Sequence, residues 1–186
     1  MSVNTKHRTT GVVVDRQNRE KDDFYPTPPE ATRALLEREQ FTGAIWEPAC
    51  GDGAICKVLM DAGYDVIATD LIARGYGMSR RDFLMEFTPA APNIITNPPF
   101  KLATEFVRHS LALTTGKVCI LMRLACLEGA ERREIYDNSP LARVWVFSRR
   151  LTMFRRGEST EGTGMIAFAW FVWEHGYTGK PVLGWI

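Results

Sequence analysis

Four consecutive residues, Asn97-Pro98-Pro99-Phe100, hold the most pointed chemical potential in the chain. They follow Asn93-Ile94-Ile95-Thr96, whose Ile94, Ile95 and Thr96 are β-formers in a run that reads as a buried strand. The two prolines offer no N–H to a β-ladder and stiffen the backbone. A side-chain amide, able to donate and accept hydrogen bonds, and an aromatic ring are thus held on a rigid corner at the strand's C-terminal end. Asn-Pro also starts ordinary turns, so the corner taken alone equally suits a plain strand ending.

A second constellation precedes it. Glu47-Pro48-Ala49-Cys50-Gly51-Asp52-Gly53 forms a strand-to-helix turn in which Gly51 and Gly53 permit positive φ and leave room for a ligand to approach the backbone. Asp70 closes the next strand-like run, 19 residues after Gly51, where a carboxylate can accept from both ribose hydroxyls of an adenosine ligand. The alternative for Asp70 is a cap or turn former. The dinucleotide pattern GxGxxG is not met, because its third glycine position is Cys56. An adenosine ligand without a pyrophosphate is therefore favoured over a nicotinamide or flavin. Asp82 could bond the amine of such an adenine, with Phe83 or Leu71 against its face; an exposed turn is the other reading of Asp82.

Strands alternating with helices must position these groups. Thr27 can cap a helix with Pro28 at its first position, Glu30 in the capping-box slot, and Ala31, Ala34, Leu35 and Arg38 along one face. Residues 43–50 read as a strand, 53–63 as a helix closed by Gly63, and 64–71 as a second strand. A short strand or turn is expected at 81–83. The Ile94–Thr96 strand leads into a helix ending at Gly116, a central strand over 117–127, and a polar helix beginning near Glu128. Strands within 142–150 and 164–176 follow with no helix between them, so they should pair antiparallel. The second of these is too apolar for a solvated edge. The pattern predicts an α/β fold, a mostly parallel doubly wound sheet whose last strand is antiparallel. Ligands in such sheets sit outside the C-terminal ends of the parallel strands. That rule gathers the Glu47–Gly53 turn, Asp70, Asp82 and the Asn97–Phe100 corner on one rim.

Composition narrows the rest. The chain has 186 residues, 45% hydrophobic and 24% charged, enough for one domain with a sizeable core. A net charge of +1 gives no strong overall field, so affinity for nucleic acid must come from local patches. One such patch is the loop after the 142–150 strand, where Arg149, Arg150, Arg155 and Arg156 surround Phe154. It suits phosphate contact and base stacking as well as a solvated turn. Cys50, Cys56, Cys119 and Cys126 match no zinc spacing, the three histidines are scattered, and no metal is expected. No apolar run approaches the ~20 residues of a membrane span, and the polar start carries no signal-peptide core. The expectation is a cytoplasmic protein with a flexible arm over residues 1–22 and a single domain over 23–186.

In order, "DFYPTP", "EPACGDG", "ATDL", "RDFL" and "NPPF" resemble the amino-methylating DNA methyltransferases that use S-adenosylmethionine. The likeness is greatest to the adenine-N6 branch, of bacterial or phage style, and covers roughly residues 22–127. It implies a Rossmann-like methyltransferase fold, S-adenosylmethionine as cofactor and DNA as substrate, with RNA or cytosine-N4 as alternatives using the same amine chemistry. It also assigns residues. Tyr25, Thr27, Glu47 and the turn through Ala49, Cys50, Gly51 and Gly53 would hold the methionine end of the cofactor. Asp70 would hold its ribose, and Asp82, with Leu71 and Phe83, its adenine. Asn97, Pro98, Pro99 and Phe100 would hold the target base, with Phe154 opposite it. Methylation at cytosine carbon 5 would need a Pro-Cys nucleophile, and no cysteine here follows proline. Protein glutamine methylation shares the Asn-Pro-Pro-Phe element but not the full ordered set. A binding module that has lost turnover is the rival of another class. Members that read defined sites carry a target-recognition domain. Here ten residues follow Gly176, so a compact form is expected, reading sequence with short loops or a partner protein.

Overall fold

The computed structural model describes residues 24–153 and 166–186; the arm at 1–22 and Phe154, Arg155 and Arg156 lie outside the described residues. Among the described residues seven strands form one sheet: β1 (Ile45–Glu47), β2 (Val66–Ala68), β3 (Asn93–Thr96), β4 (Lys117–Arg123), β5 (Leu141–Val146), β6 (Phe168–Glu174) and β7 (Val182–Trp185). Their order is β2-β1-β3-β4-β6-β5-β7. The first four run parallel. β6 lies antiparallel between β4 and β5, and β7 pairs parallel with β5.

The central strands are apolar on both faces because both are covered. On one face Ile45, Ile95, Cys119 and Leu121 pack with Ala31 and Leu35 of α1 (Pro29–Leu36) and Ile55 and Leu59 of α2 (Ala54–Asp61). On the other, Trp46, Ile94, Val118 and Ile120 pack with Phe106 and Val107 of α3 (Ala103–Leu113) and Ile135 of α4 (Ala130–Asp137). The expected doubly wound α/β sheet is thus realised, with β6 fully interior as its apolar sequence required.

Local details differ from expectation. α1 starts one residue late, with Pro28 at the N-cap and no side-chain cap; the Thr27 hydroxyl is engaged elsewhere. Residues 83–85 form a 3₁₀ turn that Asp82 caps by accepting from the Leu84 N–H. β4 stops at Arg123, and Leu124–Leu127 coil into another 3₁₀ turn. The strand β7 follows the antiparallel one and was not expected.

At the end of the sheet opposite the predicted rim, Glu39 is 2% exposed. It accepts from Lys117 Nζ at 2.7 Å, from Arg143 and from Trp145 Nε1 at 2.9 Å. Burial pushes its carboxyl up, but these hydrogen bonds outweigh that and hold it below the usual range. Arg143 also reaches Glu174, so four charges of β4, β5, β6 and the α1–β1 connection balance in pairs. The network clamps the sheet far from the candidate site.

Candidate active site

The C-terminal ends of the parallel strands enclose a cavity of about 540 Å³, within the ordinary range for small-molecule sites. Tyr25, Thr27, Glu47, Ala49, Cys50, Asp70, Leu71, Asp82, Phe83, Asn97 and Pro99 all line it. Residues 70 positions apart in sequence therefore meet as the rim rule requires. Gly51, Gly53, Pro98 and Phe100 are not on its wall, and neither are the exposed Arg149 and Arg150.

The glycine turn is braced from both sides. Gly51 and Gly53 have φ of 58° and 84°, conformations that favour glycine. A Cβ at Gly51 would lie 2.3 Å from the Phe24 ring, and one at Gly53 would lie 2.6 Å from the Tyr76 ring. The space that the sequence suggested for a ligand beside these two α-carbons is thus filled by aromatic rings. The Arg74 guanidinium lies over the Phe24 ring at 4.2 Å. Asp70, two residues beyond β2, holds the turn in register: its Oδ2 accepts from the Gly51 N–H at 2.8 Å and its Oδ1 from the Ile72 N–H at 2.7 Å. A carboxylate has about four acceptor positions, so capacity for ribose hydroxyls remains.

Glu47 is more deeply buried than Asp70, at 1% exposed. Its Oε1 accepts from Thr96 Oγ1 at 2.5 Å and from the Ala49 N–H at 3.0 Å; its Oε2 has no partner. Burial pushes the carboxyl up to about 8, the two hydrogen bonds pull it down, and the nearby Asp70 charge raises it further. Below that value the ligand-free site holds the acid protonated; once the proton is released, the unpartnered oxygen in the cavity wall is a receptor for a cationic or hydrogen-bond-donating ligand group. Thr96, which orients this acid, is a polar residue inside an apolar strand immediately before Asn97; that position was the available signal for it.

Asn97 is oriented from one side only. Its Nδ2 donates to the Tyr25 carbonyl at 3.3 Å and to Thr27 Oγ1 at 3.0 Å, with Met153 Sδ 3.8 Å away. Because a backbone carbonyl can only accept, the amide nitrogen must face it, which fixes which atom is oxygen. Oδ1 is then left buried without a partner. Tyr25 and Thr27, expected at the methionine end of the cofactor, thus also preset the amide, and Thr27 does so in place of the expected helix cap. Met153 brings the start of the β5–β6 connection against the same amide, as the expected placement of that loop implies.

The adenine-end assignments divide. Leu71 is 55% exposed on the cavity wall and offers an apolar face. Phe83 is 2% exposed, its ring edge-on to Trp46 at 5.1 Å and packed with Phe106 at 4.8 Å and His109 at 4.9 Å. It supports the wall from the core. Asp82 is exposed, with Oδ1 on the Leu84 N–H at 3.1 Å.

The Phe100 ring is already accompanied. Tyr25 stacks at 5.9 Å with a 21° interplanar angle, Phe168 lies at 5.7 Å, and the Arg123 guanidinium sits 4.5 Å from its centroid. Arg123, at the end of β4, was not among the expected site residues. Burial pushes the Cys50 thiol up to about 12, so no reactive thiolate stands in the cavity at neutral pH. Among the described residues no cluster of three or more His, Cys, Asp or Glu could hold a metal ion, and no helix is long and apolar enough to cross a membrane.

No family model matches the chain, and no curated protein matches it in sequence. Its fold does match solved structures. A candidate RNA methyltransferase of Pyrococcus horikoshii superposes with a TM-score of 0.65 at 15% identity, over 85% of this chain and 90% of that one. The modification subunit of a candidate type I restriction enzyme from Vibrio vulnificus gives 0.57 at 15% identity, over 85% of this chain and 45% of that one. Magnesium protoporphyrin IX methyltransferase of Synechocystis, solved with S-adenosylmethionine bound, gives 0.55 at 14%, over 79% and 77%. The cavity, its unpartnered Glu47 oxygen, the Asp70 carboxylate and the apolar Leu71 fit an adenosine ligand with a cationic end, and the fold is the Rossmann-like fold of S-adenosylmethionine-dependent methyltransferases.

Proposed function

We propose that this chain transfers a methyl group from S-adenosylmethionine to the exocyclic N6 amine of adenine in DNA, with the target base swung out of the helix. The observation that carries the reading is Asn97: an amide locked by its nitrogen, with a buried, unpartnered oxygen, on the wall of the cavity. An adenine amine is a poor nucleophile because its lone pair is delocalised into the ring. Asn97 Oδ1 accepts one of its N–H bonds and the Pro98 carbonyl accepts the other, drawing the nitrogen towards tetrahedral geometry and freeing its lone pair. The amide is preset by Tyr25 and Thr27 and the corner is stiffened by two prolines, so little reorganisation accompanies the reaction.

When bound, S-adenosylmethionine supplies the electrophilic sulfonium methyl. Glu47 Oε2 would receive its ammonium, Asp70 its ribose and Asp82 its adenine, with Leu71 against the ring. Tyr25 would join the two sites: its carbonyl holds Asn97 and its ring stacks on Phe100, and from the cavity wall it would also meet the methionine end of the cofactor. The buried thiol of Cys50 supports direct displacement without a covalent enzyme intermediate. Phe100 offers a stacking surface to the extruded base. Sequence recognition is assigned to the short loops at the rim, aided by a partner protein. The protein would work in the cytoplasm.

The test is a competition. The protein is given labelled S-adenosylmethionine with DNA, RNA and a glutamine-bearing protein substrate together. The proposal expects label in DNA; label predominantly in RNA or in protein overturns the substrate assignment.

A further inference from the structure

Arg123 ends β4, the strand beside β3, and so lies on the same rim as Asn97. Three observations about it have no structural explanation in common. Its guanidinium carbon rests 4.5 Å from the centroid of the Phe100 ring. Its Nε is buried and has no hydrogen-bond partner. No ion pair joins it to any carboxylate among the described residues. A part-buried cation with an orphaned N–H is costly, and a fold that needed only packing here would be served better by an apolar side chain.

Guanidinium groups only donate, so the missing partner is an acceptor. A neutral acceptor such as a ring nitrogen would satisfy the N–H yet leave the charge without a counterion. An anionic oxygen would satisfy both, and arginine's planar fork matches a phosphate. Resting on the reading above that the substrate is nucleic acid, we infer that Arg123 is a substrate-positioning residue that binds a phosphodiester beside the target nucleotide. Its stacking on Phe100 ties this contact to the base-holding corner: the phosphate fixes the backbone while Asn97 receives the amine. Tyr25, Phe100 and Arg123 then form one stacked unit linking the amide to the nucleic-acid strand.

The experiment pairs a protein change with a substrate change. Arg123→Ala and Arg123→Lys are compared with the wild type for oligonucleotide affinity, by fluorescence anisotropy, and for methyl transfer. The oligonucleotides carry a neutral methylphosphonate at each phosphate around the target adenine in turn. Arg123→Ala is expected to weaken binding of the unmodified strand roughly ten- to a hundredfold. On the strand whose neutralised phosphate is the partner, the variant should cause little further loss. The log–log salt slope for duplex binding should fall by about 0.9 in Arg123→Ala. Arg123→Lys, which keeps the charge but lacks the Nε fork, should retain the slope while losing part of the affinity. Thermal melting and S-adenosylmethionine affinity report folding separately, and the lysine variant serves if the alanine variant misfolds. An unchanged salt slope, or an equal loss at every neutralised phosphate, overturns the inference while leaving the methyltransferase reading intact. Failure of the wild type to bind or label any nucleic acid overturns that reading instead, and the Arg123 assignment with it.

Discussion

Replacing Glu47 by glutamine tests the electrostatics of the site without touching the substrate. The carboxyl is 1% exposed, and burial pushes it from 4.5 up to about 8 despite its bonds to Thr96 and Ala49. The folded protein therefore holds a proton that the unfolded chain releases, and its stability falls as pH rises between those two values. The contribution is complete below about pH 4.5 and exhausted above about 8. At about 1.4 kcal/mol per tenfold change in the proton equilibrium, the full loss is on the order of 5 kcal/mol, an upper figure because buried sites relax and admit water. Urea unfolding of the cofactor-free protein between pH 5 and 9 measures it. The wild type should weaken progressively up to pH 8, whereas Glu47→Gln should be nearly flat across this window and the more stable of the two at pH 8. A wild type whose stability is constant or rises from pH 5 to 8, or a glutamine variant with the same profile, would mean that Glu47 is not held protonated in the folded protein.

Asp70→Ala should weaken S-adenosylmethionine binding by ~1.5–3 kcal/mol in calorimetric titration; unchanged affinity would reduce Asp70 to the brace of the Gly51 turn that its hydrogen bonds already make it. Glu39→Ala should destabilise the fold by roughly 3–5 kcal/mol by leaving Lys117 and Arg143 without their shared carboxylate, while methyl transfer by the folded fraction persists. Because hydrogen bonds hold Glu39 below the usual range, its contribution is present above the ordinary carboxylate value and is lost as pH falls from there through its lowered folded-state value, an acid window distinct from that of Glu47. Phe100→Ala should reduce methylation of duplex more than of single strands, since only the duplex must unstack the base; equal losses would assign the ring to packing with Tyr25 and Phe168.

Much of this arrangement was legible because it is local or periodic. Apolar runs punctuated by glycine mark β1 to β6, and the rim rule for parallel sheets gathers Glu47, Asp70 and Asn97, all three of which line the cavity. What escaped depends on contacts between distant residues. Thr27 has the type and spacing of a helix cap, but Asn97, 70 residues away, takes its hydroxyl. Phe83 follows the acid expected at the adenine, yet Trp46, Phe106 and His109 draw it into the core. Glycines 51 and 53 were legible as glycines, while the rings of Phe24 and Tyr76 that fill the space beside them were not. β7 is four residues with an exposed pattern beyond Pro181, too short and too little buried to announce itself. Arg123 sat in an apolar run whose period gave it no distinction, and only its packing on Phe100 reveals it.

In the proposed function the unpartnered oxygen of Asn97 positions an adenine amine for methylation. The most direct measurement digests DNA treated with the wild type or with Asn97→Ala and separates the nucleosides by chromatography with mass detection, alongside a calorimetric titration of S-adenosylmethionine into both proteins. The expected result is N6-methyl-2′-deoxyadenosine from the wild type, a rate at least ~10²-fold lower from the variant, and cofactor affinities within a few-fold of each other. Wild-type turnover by Asn97→Ala, or methyl groups appearing on ring carbons instead of the exocyclic amine, would contradict it.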